Sequence, residues 1–301
     1  MTPTPHAEVT VTVPATSANL GPGFDALGLA LSLRDEVRVR LEQPSAPEVT
    51  VHVDGEGAGA VPRDGSHLVV RAFHAVYDRL GLSRPHLSMW CTNRVPHGRG
   101  LGSSAAAAVA GVLAAQVLSR TGRDDEAALA VAGGIEGHPD NAAACLLGGL
   151  TVAWTEEEGP RAVRAEPVAG LRATVLVPAT ELSTETARGL LPATVPHADA
   201  AHSAGRAALL VEALTRRPDL LLPATEDRLH QRYRADAMPA TSSLVDELRG
   251  RGLAATVSGA GPSVLVLGPS GSPPVEAPPG WTALDLAVDT RGAEVSDRAS
   301  G

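Results

Sequence analysis

Valine alternates with polar residues in three segments near the start of the chain. AEVTVTV (7–13), EVRVRL (36–41) and EVTVHV (48–53) place an apolar residue at every second position, which is the period of a strand with one buried face. We predict half-buried antiparallel strands at all three. A fourth strand is predicted at HLSMWC (86–91).

Helical spacing replaces this alternation in three other segments of the first half. Apolar residues recur on one helical face from residue 68 to residue 80, with Ser66 as the predicted N-cap and Gly81 as the stop. Two further helices are predicted at 103–118 and 124–134.

The later part of the chain mixes the same two patterns. The predicted elements are strands at 150–154, 161–168 and 171–177, helices at 206–216 and 241–249, two strands around a glycine turn within 253–268, and a strand at 281–288. Because strands and helices are mixed without a regular βαβ count, the pattern predicts an α+β fold. We predict domains at 1–160 and 161–301, and a Pro/Gly/Ser-rich loop at 268–280.

Charge and composition exclude several function classes. The 301 residues carry a net charge of −9 and no basic run, so binding to nucleic acid or to an anionic membrane is not expected. No segment approaches the ~18 apolar residues of a membrane span, and the N-terminus shows no secretion signal. Cys91 and Cys145 match no metal-binding spacing. We predict a cytoplasmic protein with two reduced thiols.

The chain contains no lysine. A Walker P-loop requires a lysine after its glycines, and Schiff-base or pyridoxal chemistry requires a lysine amine. Both are excluded, so a phosphate site in this chain has to use backbone amides, arginine and a metal ion.

The most informative stretch is RVPHGRGLGSSAAAAVAG (94–111), in which a glycine-rich loop runs directly into an alanine-rich helix. A helix N-terminus carries unpaired N–H groups and a partial positive charge, which suit an anion. Preceding glycines let the backbone approach that anion closely. Ser103 and Ser104 can bind a phosphate oxygen or Mg²⁺. The stretch predicts a phosphate-binding loop.

Two other interpretations of this stretch are open. Gly98, Gly100 and Gly102 can form a flexible loop, with Ser103 as an ordinary N-cap. GSSAA (102–106) also approximates the G-x-S-x-G elbow of serine hydrolases. Such an elbow follows a buried apolar strand, however, and the preceding residues here are polar and include a proline.

Two more glycine-rich stretches accompany this loop. VPATSANLGPGFDALGLAL (13–31) has a Thr-Ser-Asn cluster before a Gly-Pro-Gly turn, and VSGAGPSVLVL (257–267) has glycines between two apolar strands. Taken alone, the first fits an irregular β-turn and the second a hairpin with glycines at positive φ.

In this order and spacing, the three stretches resemble the motifs of the superfamily that includes galactokinase, homoserine kinase, mevalonate kinase and phosphomevalonate kinase (the GHMP kinases). The segments most similar to the homoserine kinase family are PATSANLGPGFDALGLAL, GRGLGSSAAA, EGHPDN, STETARGLLP, LHQRYR and SGAGPSVLVL. The resemblance runs from residue 8 to the final VDTRGAEV. It implies a two-part α+β fold, with a left-handed βαβ unit in the N-terminal half and a ferredoxin-like C-terminal half.

The resemblance also implies an activity, which is phosphorylation of L-homoserine by ATP to O-phospho-L-homoserine in threonine biosynthesis. It places ATP across the glycine loop and Mg²⁺ between Ser104 and Glu136. The implied ATP-binding residues are Pro96, His97, Gly98, Arg99, Gly100, Leu101, Gly102, Ser103, Ser104, Ala105 and Ala106.

A second group of residues is implied to bind the amino-acid substrate, and comprises Asn19, Asp25, His138, Asn141, Arg188, Arg234 and Gly259. Asp25 would pair with the ammonium, and Arg188 and Arg234 would bind the carboxylate, which a planar guanidinium matches with two parallel hydrogen bonds. Taken singly, Asp25 also fits a turn cap and Glu136 a solvated acid at a helix end.

The sequence departs from the family pattern at Gly134, where many relatives have a second acid. The assignment of Glu136 to the metal therefore stays open. The resemblance implies no dedicated catalytic base, with Asp140 structural and the hydroxyl proton passing to a phosphate oxygen. It also implies a possible homodimer. The alternative functions are a GHMP kinase for another small alcohol and a catalytically silent sensor of an amino acid or nucleotide.

Overall fold

Two β-sheets and nine α-helices account for most of the computed structural model, which describes residues 7–298. The outermost residues of both predicted domains, 1–6 and 299–301, lie outside the described range. The helices and strands follow the order β1 (Glu8–Asn19), β2 (Gly23–Leu41), β3 (Val49–Gly55), α1 (Leu68–Arg79), β4 (Leu87–Asn93), α2 (Ser103–Leu118), α3 (Asp125–Glu136), α4 (Asp140–Leu147), β5 (Leu150–Glu156), β6 (Gly159–Ala165), β7 (Arg172–Pro178), α5 (Thr184–Gly189), α6 (His197–Thr215), α7 (Leu221–Ala224), α8 (Gln231–Arg234), α9 (Pro239–Gly250), β8 (Ala254–Val257), β9 (Val264–Gly268), β10 (Trp281–Ala287) and β11 (Glu294–Arg298).

The first sheet has seven strands in the order β11-β1-β2-β4-β3, and β5 and β6 extend it beside the first half of β2. β2 can serve both parts because it has 19 residues, so residues 27–29 pair with β5 while residues 36–41 pair with β4. The alternating valines of β1 are fully buried in this sheet's core, where each contributes roughly 1.5–3 kcal/mol of burial free energy.

β1 is longer than its valine pattern predicts. The strand continues past Pro14 to Asn19, and the register against β2 shifts between Pro14 and Ala15. A bulge of this kind accommodates a residue that has no N–H for the ladder. The extended strand stays paired with β2 and brings Thr16 next to the glycine loop, where its N–H donates to the Leu101 carbonyl.

The antiparallel assignment of the 48–53 segment is wrong. β3 pairs in parallel with β4, from Val49 opposite Leu87 to Gly55 opposite Asn93. The reason is that α1 lies between the two strands and returns the chain to the end at which β3 began. The result is a βαβ unit, as the family resemblance implies, while its left hand stays a prediction.

The N-cap of α1 also differs from the prediction. His67 occupies that position and its Nδ1 accepts from the Val69 N–H at 3.3 Å. The hydroxyl of Ser66 is 2.6 Å from the carboxylate of Asp64 and donates to it instead.

The second sheet is antiparallel, with the order β10-β7-β9-β8. Numbered within the sheet, this is the order 4-1-3-2 that the implied ferredoxin-like half requires. The segment between β9 and β10, predicted as a Pro/Gly/Ser loop, contains no helix or strand in the structure.

The chain passes between the two sheets more than once. β6, which ends at Ala165, pairs with β5 and so still belongs to the first sheet. After the second sheet, β11 returns to the first sheet beside β1. A shared apolar core joins the halves, because Leu29 of β2 and Leu101 of the glycine loop belong to the same cluster as Val175 of β7. The glycine loop therefore lies at the junction of the two halves. The boundary near residue 160 stays a prediction.

Candidate active site

The glycine loop adopts a backbone conformation that only glycine takes easily. Gly98, Gly100 and Gly102 have φ of +63°, +69° and +67°, in the left-handed region. A Cβ at Gly100 would overlap the Ser258 carbonyl, and one at Gly102 would overlap the Thr16 hydroxyl. The glycines therefore provide both a left-handed backbone and close approach to two neighbouring segments.

Helix α2 begins at Ser103, as predicted, but its N-cap is Gly102. Because glycine has no side chain, no side-chain oxygen occupies the N–H groups of the first turn. This finding is at odds with the interpretation of Ser103 as an ordinary N-cap. The helix start thus offers free amides and a positive dipole end to an anion.

Three segments hold the loop in place through its carbonyl groups. The Leu182 N–H donates to the Gly98 carbonyl at 3.0 Å, the Ser258 hydroxyl donates to the Gly100 carbonyl at 2.7 Å, and the Thr16 N–H donates to the Leu101 carbonyl at 3.0 Å. All three of these bonds use carbonyl oxygens of the loop and none uses one of its N–H groups.

Arg99, although predicted to bind ATP, directs its guanidinium towards the second half. It donates to the carbonyls of Pro178 and Ala179 at 3.0 and 2.8 Å, and to the carboxylate of Glu181 at 3.1 Å. In this conformation its side chain joins the loop to the end of β7.

The two residues predicted to hold the metal are in direct contact. The Ser104 hydroxyl donates to the Glu136 carboxylate at 2.7 Å, so two oxygen ligands meet beside the start of α2. Burial raises the pKa of Glu136, which the hydrogen bond from Ser104 partly offsets. A half-buried carboxylate beside a hydroxyl fits a hard cation such as Mg²⁺. Gly134 is exposed on the same helix and offers no ligand atom.

A cavity of about 190 Å³ opens against this loop, and we call it the central cavity. Its lining contains every residue predicted to bind the substrate, namely Asn19, Asp25, His138, Asn141, Arg188, Arg234 and Gly259. It also contains both metal candidates and the glycines of the loop. Residues from distant parts of the sequence therefore meet at one place.

One end of the central cavity carries an ion pair. The guanidinium of Arg188 donates to both carboxylate oxygens of Asp25, at 3.0 and 2.5 Å. The Asp25 N–H donates to the Asn19 side-chain oxygen at 3.0 Å, and the Asn19 amide donates to the Gly259 carbonyl at 2.8 Å. Asn19 and Asp25 both have positive φ, at 66° and 55°, so this turn holds a strained backbone.

Arg234 reaches the same end from a buried position, with 1% of its surface exposed. Its Nε donates to the Ala187 carbonyl at 3.1 Å. Burial and the nearby Arg188 lower the pKa of Arg234 to about 10, so it stays protonated at neutral pH. Burial of a charged guanidinium is unfavourable unless an anion compensates it, so Arg234 fits an anionic partner.

The start of α4 lines the cavity close to this ion pair, because side-chain ligand atoms of Asp25, His138 and Asp140 lie within 4.8 Å of one another. Nδ1 of His138 lies 2.6 Å from the carboxylate of Asp140, and the same carboxylate oxygen accepts from the Asn141 N–H at 2.7 Å. Burial alone would lower the pKa of His138, but Asp140 raises it above its ordinary value. The Thr16 hydroxyl donates to the Asn141 side chain at 2.8 Å. Asp140 is thus engaged with its neighbours, as its structural interpretation expects.

Among the described residues, one group of three acid and histidine side chains lies close enough to share a metal ion, and it consists of Asp25, His138 and Asp140. Asp25 is already paired with Arg188, and the positive charge of that guanidinium disfavours a cation there. The pair of Ser104 and Glu136 suits Mg²⁺ better, because it offers oxygen ligands beside the phosphate loop.

A second cavity, of about 270 Å³, lies on the other side of the loop, and we call it the apolar cavity. Val61, Pro62 and Val69 line it together with Ser103 and Ser104. Two of the predicted ATP-binding residues, His97 and Ala106, are also in its lining. The two cavities meet at the first turn of α2.

Sequence reasoning missed several residues of these cavities. Leu182, Ser183 and Thr184 line the central cavity, and His67 lines the apolar cavity. Ser183 and Thr184 belong to the segment STETARGLLP, for which the resemblance implies a role of Arg188 alone. His67 carries no local signal, since its place depends on the packing of α1 against α2.

No described helix is long and apolar enough to cross a membrane. Both cysteines are free and buried.

Comparison with known proteins gives consistent matches over nearly the full chain. The family description "GHMP kinases N terminal domain" matches residues 67–149, and "GHMP kinases C terminal" matches residues 201–278. A protein named homoserine kinase from Streptomyces coelicolor is 55% identical over 297 residues, which covers 96% of this chain and 94% of the relative. A homoserine kinase from Clavibacter michiganensis is 51% identical over 95% of this chain and 93% of its own.

Solved structures also match nearly the full chain. A homoserine kinase from Cytophaga hutchinsonii superposes with a TM-score of 0.83 at 26% identity, covering 96% of this chain and 97% of that one. A mevalonate diphosphate decarboxylase from Staphylococcus aureus superposes with a TM-score of 0.68 at 16% identity, covering 96% and 98%. The second match supports the fold alone.

Proposed function

The chain belongs to the homoserine kinase family of the GHMP kinases, and on that premise we propose that the central cavity holds L-homoserine while the loop at 96–106 holds ATP. The protein phosphorylates the hydroxyl of L-homoserine to give O-phospho-L-homoserine, the reaction of threonine biosynthesis. The observation that carries the residue assignment is that opposite charges and the phosphate loop line the same cavity.

The charged end fits the two charges of an amino acid. In our account the substrate ammonium takes Asp25 as its partner, with Asn19 beside it, and the carboxylate takes Arg188 and Arg234. The existing pair of Arg188 and Asp25 is then exchanged for two substrate contacts, so both protein charges stay compensated. This exchange favours a ligand that carries both charges over one that carries a single charge.

We base the placement of the substrate hydroxyl on Asn141. Its side-chain oxygen would lie 3.0 Å from a Cβ built at Gly102, next to the first turn of α2. We propose that Asn141 and His138 orient the substrate so that its hydroxyl faces the transferred phosphoryl group. Alignment of this kind supplies much of the rate in phosphoryl transfer, because the transition state is loose.

The nucleotide occupies the other side of the loop. The first-turn amides of α2 and the hydroxyls of Ser103 and Ser104 bind the phosphates, and the adenine base enters the apolar cavity between Val61, Pro62 and Val69. His97 and Ala106 contribute to that wall, while Arg99 anchors the loop. Pro96, Leu101 and Ala105 act through the backbone shape of the loop.

Ser104 and Glu136 would hold Mg²⁺, which neutralises phosphate charge when it is bound. The contact between the two side chains supports this assignment. No dedicated base is assigned, because the carboxylate of Asp140 is engaged by His138 and the Asn141 N–H. The hydroxyl proton passes to a phosphoryl oxygen.

We place the protein in the cytoplasm, where ATP is available and where its two free cysteines stay reduced. A homodimer, and the absence of nucleic-acid and membrane partners, stay predictions.

ADP release from Mg-ATP in the presence of L-homoserine tests the function, with ³¹P NMR to identify the product as a phosphate monoester. We expect turnover with L-homoserine well above that with L-serine or L-threonine, whose hydroxyls lie one carbon closer to the charged end. Faster turnover with mevalonate would favour a GHMP kinase for another alcohol. Binding of ATP without turnover of any alcohol would favour a silent sensor.

A further inference from the structure

His230 lies between the turn that carries Asn19 and Asp25 and the guanidinium of Arg234, although it does not line the central cavity itself. It directly precedes α8 and is fully buried. Its ring is in contact with the turn at 19–25 on one side and with Arg234 on the other.

The hydrogen bonds of the ring fix one tautomer. Nε2 lies 2.8 Å from the Gly21 carbonyl, which only accepts, so Nε2 carries the hydrogen. Nδ1 lies 3.1 Å from NH1 of Arg234, which only donates, so Nδ1 accepts. Burial lowers the pKa of His230, with Arg234 adding to the effect against the opposing influence of Asp227. The ring is therefore neutral and uses both nitrogens.

The bond from Nε2 holds the turn that presents Asn19 and Asp25. This turn contains three non-glycine residues at positive φ, Asn19, Leu20 and Asp25, and such a backbone needs external support. Gly21 itself has φ of +91°, and a Cβ there would overlap the Thr225 backbone. The carbonyl that His230 binds is thus in the middle of the strained segment.

The bond to Nδ1 holds the guanidinium of Arg234. Nε and NH1 of Arg234 are occupied by Ala187 and His230, and NH2 has no partner among the described residues. The Phe24 ring packs against His230 at 5.2 Å between centroids and against the Arg234 guanidinium at 5.6 Å. Arg234 is thereby aimed with one nitrogen left for a ligand.

We propose that His230 is a positioning residue that sets the distance between the ammonium-binding turn and the carboxylate-binding Arg234. The cavity then accepts an alcohol whose ammonium and carboxylate sit on one carbon. This inference rests on the proposed function, since it needs a zwitterionic substrate at that end.

Two substitutions separate the two bonds. In His230→Gln the amide nitrogen reaches the Nε2 position and still donates to Gly21, while Arg234 loses its acceptor. In His230→Asn the amide oxygen takes the Nδ1 position and still accepts from Arg234, while the turn loses its donor. We expect each variant to raise KM for L-homoserine about tenfold while KM for Mg-ATP changes less than about twofold.

Single-charge analogues show which end has moved. 4-Hydroxybutanoate has no ammonium. Its inhibition constant should rise more in His230→Gln than in His230→Asn, because Arg234 loses its acceptor in the first variant. 3-Aminopropan-1-ol has no carboxylate. Its inhibition constant should rise more in His230→Asn than in His230→Gln, because the turn at 19–25 loses its donor in that variant. If His230 only stabilised the fold, both variants would bind the two analogues and ATP more weakly to the same extent.

His74→Gln is the matched control, since His74 is half-buried on α1, away from the cavity, and its kinetics should match the wild type. ¹⁵N NMR of the wild type gives an independent check, with a neutral Nε2–H ring expected at about pH 7.5. The proposal would be overturned if KM for L-homoserine were unchanged in both variants, or if KM for Mg-ATP rose as much as KM for L-homoserine. A charged His230 ring would also overturn it. If the wild type does not phosphorylate L-homoserine at all, the proposed function fails and this inference fails with it.

Discussion

Arg188 binds both carboxylate oxygens of Asp25, with nitrogen–oxygen distances of 3.0 and 2.5 Å. These are the two residues to which the substrate's carboxylate and ammonium are assigned. Before substrate binds, each residue compensates the charge of the other. On this assignment, substrate binding exchanges an existing ion pair for two new ones, and we expect the pair to exclude ligands that can satisfy only one of its members.

Arg188→Lys tests this exchange. Lysine keeps the positive charge but has no planar pair of donors for a carboxylate, so KM for L-homoserine should rise about tenfold or more. KM for Mg-ATP should stay near the wild-type value. Arg216→Lys is the control, because Arg216 is an exposed arginine at the end of α6. Steady-state kinetics with each substrate varied in turn decides, and an equal rise in both KM values would contradict the assignment.

Ser104→Ala tests the metal assignment. The substitution removes one oxygen ligand and the hydrogen bond to Glu136, so kcat should fall about 100-fold and a higher Mg²⁺ concentration should be needed for half-maximal rate. Ser119→Ala, at the C-cap of the same helix, should leave both values unchanged. A Ser104→Ala protein with the Mg²⁺ dependence of the wild type would place the metal elsewhere.

Gly102→Ala tests the close approach at the loop. Gly81 is the matched control because its φ of +66° equals that of Gly102 within a degree, yet a Cβ there would meet no atom within 4 Å. Alanine at either position should cost about 1 kcal/mol of folding free energy through the left-handed backbone. Activity should be lost only in Gly102→Ala, where the methyl group would overlap Thr16. Thermal unfolding and ADP release on the same samples separate the two effects.

The local part of the site is what the sequence predicts well. The start of α2 at Ser103 follows from a contrast between neighbouring glycines and alanines, and helix propensity acts over just such short distances. The residues of the central cavity follow from motifs whose spacing reflects one fold. The extension of β1 beyond Pro14 does not follow, because it depends on the pairing of residues 15–19 with residues 23–31 of β2.

The unpredicted features all depend on contacts between residues far apart in the chain. The parallel pairing of β3 is decided by the path of α1, and β11 returns to β1 from almost 300 residues away in sequence. His230 and Gly21 are 209 residues apart, and neither residue type alone indicates the bond between them.

A pH dependence of stability follows from His67. Burial lowers the pKa of His67 below its ordinary value of 6.5, and the nearby His97 adds to the effect. The folded protein therefore binds this proton less readily than the unfolded chain. The stability contributed by neutral His67 is present above about pH 6.5 and is lost as the pH falls below that value.

His67→Asn isolates this effect, because asparagine also caps a helix and does not titrate. The free energy of unfolding of the wild type minus that of the variant should be larger at about pH 7.5 than at about pH 5. Denaturant titrations at both pH values give this difference. A difference independent of pH would show that His67 does not contribute in its neutral form.

The central claim is that the cavity recognises an alcohol through an ammonium and a carboxylate together. The direct test is kcat/KM with Mg-ATP for L-homoserine, 4-hydroxybutanoate, 3-aminopropan-1-ol and mevalonate, measured on the wild-type protein. We expect L-homoserine to exceed each of the others by roughly 1,000-fold, because either missing charge leaves a charged side chain of the cavity uncompensated. A comparable kcat/KM for 4-hydroxybutanoate or mevalonate would contradict the claim and leave only the phosphate loop in place.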